Sequence, residues 1–68
     1  MKVVLNGESR DLGAAPTVDQ AVEATGAHSS RRGIAVAVEG EVVTRGEWAT
    51  RVLREGEHVE LLQAVQGG

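Results

Sequence analysis

GAAPTVDQAVEATG, Gly13 to Gly26, is the stretch on which the fold turns. Val18, Ala21, Val22 and Thr25 recur at helical spacing and leave Asp19, Gln20 and Glu23 for water. Thr17 followed three positions later by Gln20 matches a capping box, in which each residue satisfies a backbone amide the helix start leaves open. Asp19 lies in the first turn, where the helix dipole favours negative charge, and Gly26 supplies a left-handed stop. The pattern predicts one short, well-bounded helix.

Outward from that helix, the periodicity changes to that of strands. Before it, KVVLNGESRDL contains two extended runs joined at Asn6-Gly7, a dipeptide suited to a type I′ hairpin because both positions tolerate positive φ. After it comes a polar connection, AHSSRRG, and then IAVAVEGEVV, where Ile34, Val36 and Val38 alternate with Ala35 and Ala37 before a turn at Glu39-Gly40. A second hairpin is expected there. TRGEWATRVL reads as an irregular crossover with a helical turn, in which Trp48 and Leu53 pack back onto the core. A turn near Glu55-Gly56 then leads to a last strand from about His58 to Val65.

The order β-β-α-β-β-β holds one helix, too little to cover both faces of a sheet. The expected class is therefore α+β, a ubiquitin-like β-grasp: a mixed sheet of about five strands with one main helix packed on one face. Val3, Leu5, Ile34, Val36, Val38, Val59 and Leu61 are expected to face the helix. Val4, Ala35, Ala37, Leu62 and Ala64 are expected to line the uncovered side as a modest apolar patch.

Composition bounds what such a domain can do. At 68 residues there is room for one domain, able to bury about 60% of its unfolded surface. With 41% hydrophobic and 25% charged residues the chain has the balance of a folded globule, and Trp48 is its single aromatic residue. The net charge of −3, with Arg31-Arg32 as the sole adjacent basic pair, argues against nucleic acid as a partner. Lack of cysteine rules out disulfides, a thiol nucleophile and zinc-thiolate chemistry. Polar residues return after Val3-Val4-Leu5, too soon for a signal-peptide core or a membrane span, so the default expectation is the cytoplasm with no membrane partner.

The chemical inventory is sparse. His28 and His58 have no ligand cluster beside them in sequence and read as surface residues. Ser29-Ser30 has no base to activate it and reads as loop. Glu39 with Glu41, and Glu55 with Glu57, flank glycines as acidic turns do, in preference to forming a catalytic carboxylate pair. Gly7 and Gly40 lack the strand-to-helix setting of a phosphate loop. The chain is expected not to be an enzyme and to bind no cofactor of its own.

LLQAVQGG, Leu61 to Gly68, is what remains. Residues 1–65 are expected to form the domain and 66–68 a flexible diglycine tail. A terminal carboxylate is an anion at neutral pH and resists nucleophiles until it becomes a mixed anhydride with AMP. An unbranched Gly68 leaves the carbonyl carbon open, and Gly67 lets the backbone enter a slot too narrow for a Cβ. Val65 to Gly68 can reach about 13 Å into another protein's site. Ordering four such residues costs about 4–8 kcal/mol of backbone entropy, so the folded face must supply much of the docking energy. Taken alone, the two glycines suit an inert end equally well.

Beyond these readings, the whole chain resembles the ThiS family of thiamine-biosynthesis sulfur carriers, small ubiquitin-like proteins. The resemblance rests on the opening strand with Asn6-Gly7, the helix entered through Thr17-Val18, the run Val42-Val43-Thr44-Arg45-Gly46-Glu47-Trp48, the run Glu55 to Leu62, and Gly67-Gly68. The Arg45-x-x-Trp48 spacing ahead of a glycine-turn strand and a diglycine end is far more specific than diglycine alone. The family often has proline where Thr44 stands and a small residue where Gln66 stands; the second difference falls in the tail and bears on partner choice. The resemblance implies that an E1-like adenylyltransferase of the ThiF type, using ATP and magnesium, activates Gly68. Sulfur from a cysteine desulfurase persulfide then gives a thiocarboxylate that serves thiazole synthase. Gly67, Gln66 and Val65 would enter partner active sites, and Leu62, Ala64, Ala35, Ala37 and Val4 would dock. Other readings stay open: a carrier for molybdopterin, tRNA thiolation or a specialised metabolite, a ubiquitin-like modifier, or a β-grasp interaction module with an inert end.

Overall fold

The computed structural model describes residues 1–26 and 33–63. β1 (Lys2–Leu5) and β2 (Glu8–Asp11) form the first hairpin, α1 (Val18–Ala24) follows, β3 (Ile34–Val38) and β4 (Glu41–Val43) form the second hairpin, and β5 (His58–Gln63) closes the sheet. Strand order is β2-β1-β5-β3-β4. β1 and β5 run parallel and every other neighbouring pair is antiparallel, so the sheet is mixed and strands from the two ends of the chain lie at its centre.

Local chemistry explains each element. Asn6 and Gly7 adopt φ of 50° and 85°, the paired positive values of a type I′ turn, and Glu39 and Gly40 repeat them at 50° and 82°. Helix α1 begins with the expected capping box: the Gln20 amide donates to Thr17 Oγ1 at 3.3 Å and the Thr17 amide to Gln20 Oε1 at 2.8 Å. It ends at Thr25, followed by Gly26 in the left-handed region with φ of 80°.

The core lies between α1 and one face of the sheet. Val3, Leu5, Val36, Val38 and Val59 from the strands meet Val18, Ala21 and Val22 from the helix, all buried. Leu61, expected among this set, is half-buried and packs at its margin. Trp48 and Leu53 fold back from the crossover and are 3% and 1% exposed. The helical turn expected there is a 3-10 turn at Arg45–Glu47. The Trp48 indole N–H donates to the Val43 carbonyl at 3.1 Å, which satisfies its one polar atom, and the Arg45 guanidinium stands 4.9 Å from the ring centroid. The Trp48 carbonyl also accepts from the Asp19 amide at 3.0 Å, so the crossover pins the start of the helix.

Candidate functional site

β5 is both the central strand and the one that leads into residues 64–68. Its position is fixed from both sides. Toward β1, pairing stops at Leu5↔Val59, after which the Asn6 amide donates to the Val59 carbonyl at 2.9 Å and the Leu61 amide donates to the Asn6 side chain at 2.9 Å. Asn6 therefore serves twice, as turn residue and as the side-chain extension of a strand that has ended. Toward β3, pairing continues from Val38↔Val59 to Ile34↔Gln63.

Alternation along these strands defines the uncovered face. Residues directly opposite one another in register point to the same side, so Ala35 stands beside Leu62, while Glu60, Ala37 and Val42 form one row across three strands. His58, Val4 and Ser9 form the next row. Leu62, Ala35, Ala37 and Val4 thus share the face expected of them; Leu62 is 63% exposed, Ala35 is exposed, and Ala37 and Val4 are half-buried. Val42, 73% exposed, belongs to the same patch. Neither Val42 nor Glu60 was singled out from the sequence, although the alternation that turns Val43 and Val59 inward places their neighbours outward. Ala64, Val65, Gln66, Gly67 and Gly68, together with His28, Ser29, Ser30, Arg31 and Arg32, lie outside the described residues.

Three of the four acidic turn residues, Glu39, Glu55 and Glu57, accept from backbone amides. Glu39 Oε2 accepts from the His58 amide at 2.6 Å and lies 3.1 Å from His58 Nδ1. Those contacts, the amide first, hold the Glu39 carboxyl below its ordinary pKa. Glu55 accepts from the Lys2 amide at 3.1 Å, and Glu57 accepts from the Arg54 amide at 2.8 Å while facing Arg51 at 3.6 Å. These are turn and strand fasteners, not an acid-base pair. Among the described residues no group of three or more His, Cys, Asp or Glu is placed to hold a metal, and no helix is long and apolar enough to cross a membrane.

Among the described residues, one α-helix on a five-stranded mixed sheet in which β1 and β5 pair in parallel is the arrangement of the ubiquitin-like β-grasp. The crystal structure of the thiamine biosynthesis protein ThiS from Geobacter metallireducens has the same fold, with a TM-score of 0.78 at 24% identity and full coverage of both chains. Within that class, the ThiS family model matches residues 3–68, and the chain belongs to the ThiS family. A curated relative, sulfur carrier protein ThiS of Escherichia coli (strain K12), is 26% identical over 68 residues, spanning all of both chains.

Proposed function

We propose that this chain is a sulfur carrier for thiamine biosynthesis, a co-substrate on which partner enzymes act. The observation that carries the reading is the family match, which spans residues 3–68 and so includes Gly67-Gly68. Residues 1–65 serve as the domain and 66–68 as the tail. A Gly68 carboxylate oxygen attacks the α-phosphorus of ATP, held with magnesium by a ThiF-type adenylyltransferase, and pyrophosphate leaves. A persulfide sulfur, supplied from a cysteine desulfurase, then attacks the acyl carbon and expels AMP. A thiol cleaves the resulting S–S bond, leaving a thiocarboxylate on Gly68 and a disulfide on the donor side. Thiazole synthase takes up the sulfur.

Physical chemistry supports the division of labour. The sequence has no cysteine, so sulfur has no other covalent site on the chain that a persulfide would recognise. Gly67 and Gly68 present no Cβ to a narrow channel, with Val65 and Gln66 behind them. The face of Leu62, Ala35, Ala37 and Val4, continued in sequence by Ala64, offers apolar area next to the tail, where docking must offset the entropy of ordering it. The cytoplasm, where ATP and reduced thiols are both present, is the compartment this chemistry calls for.

ATP-pyrophosphate exchange with a ThiF-type adenylyltransferase tests the first step. Exchange is expected with the full chain and lost on deletion of Gly68; exchange that persists without Gly68 would overturn the assignment.

A further inference from the structure

The geometry points to Glu60 as the contact that orients the carrier on its activating partner, through an arginine or lysine that the partner presents inside an apolar surface. This rests on the carrier reading above and goes beyond it. Glu60 sits on the central strand at the middle of the uncovered face. Ala37 is directly opposite it on β3, Val42 lies beyond Ala37 on β4, and Leu62 and His58 are its same-face neighbours along β5. The His58 imidazole is engaged by Glu39 at 3.1 Å. No ion pair or hydrogen bond reaches the Glu60 carboxylate among the described residues, whereas Glu39, Glu55 and Glu57 are all tied to backbone amides.

A partner that covers Leu62, Val42, Ala35 and Ala37 necessarily removes water from the carboxylate between them. A buried, unpaired carboxylate strongly opposes binding, so a partner able to cover this face must bring a cation to that point. The apolar contacts are interchangeable by small slips along the sheet. One charge pair is not, and it fixes the register in which the strand points its end at the partner. Eight residues follow Glu60 up to Gly68, so the Glu60 backbone lies within about 26 Å of the carboxylate that must reach the partner's nucleotide. A surface that is apolar but lacks the cation is rejected by the same carboxylate, which makes Glu60 a specificity determinant as well as an anchor.

The test is pyrophosphate exchange measured as a function of carrier concentration and salt, with wild type, Glu60→Gln, Glu60→Lys and Leu62→Asp, each checked for an unchanged thermal melt. Glu60→Lys is expected to raise the carrier KM by about tenfold or more with kcat preserved. Glu60→Gln is expected to raise it less and to flatten its dependence on salt. If both Glu60 variants match wild type in KM and salt dependence while Leu62→Asp fails to dock, the face is right and the charge contact is wrong. If wild type itself supports no exchange, the carrier reading falls and this contact with it.

Discussion

Thr17 is the residue whose single side chain does most to start the helix. Its hydroxyl accepts from the Gln20 amide, its own amide is satisfied by Gln20 Oε1, and its backbone bridges to Val52 in the crossover. Because α1 has only seven residues, propagation contributes little and the cap matters more than in a long helix. Thr17→Ala is expected to cost about 1 kcal/mol, with Thr17→Ser close to wild type. In a chain of this size that corresponds to a melting temperature lower by about 4–8 °C. Equal melting of the alanine and wild-type chains would show that the crossover, through the Trp48 and Arg51 carbonyls, holds the helix start unaided.

The elements are joined by carboxylates that reach across turns, and these respond to acid. Glu39 fastens the β3-β4 turn to the first residue of β5, and Asp11 holds both the Gly13 amide and the amino terminus. The His58 amide depresses the Glu39 pKa from 4.5, and the Gly13 amide depresses the Asp11 pKa from 3.8. A carboxyl group with a lowered folded-state pKa contributes stability above its unfolded pKa, and that contribution is lost as pH falls through the folded value. Glu39→Gln is therefore expected to melt below wild type near pH 7, with the gap narrowing as pH falls below 4.5 and through the lowered folded-state pKa. A gap independent of pH would assign the loss to the left-handed backbone at position 39 instead. These fasteners also mark the limit of sequence reading. Asn6-Gly7, Thr17 to Gln20 and the Val36-Val38 alternation are local signals, so both hairpins and the helix were legible. The Asn6 bond to Leu61 joins residues 55 apart and the Glu55 bond to Lys2 residues 53 apart, and no local pattern announces either. The 3-10 turn at Arg45–Glu47 has no periodicity of its own and is set by where Trp48 must lie.

At the scale of the whole molecule, the β-grasp places β5 at the centre of the sheet, beside β1 at its start and continuing in sequence into residues 64–68, the segment the proposed function makes reactive. In the proposed function the domain serves as a grip and the last carbonyl as the working group. That Leu62, Ala35, Ala37 and Val4 share a face was legible from alternation, but the row of Glu60, Ala37 and Val42 required the register of three strands. The most direct measurement is intact-mass spectrometry after incubation with a ThiF-type adenylyltransferase, ATP, magnesium and a persulfide donor. The account predicts a product in which one oxygen of the Gly68 carboxylate is replaced by sulfur, absent when Gly68 is deleted. An unchanged mass with an active enzyme, or carrier joined to lysines in place of the thiocarboxylate, would contradict it.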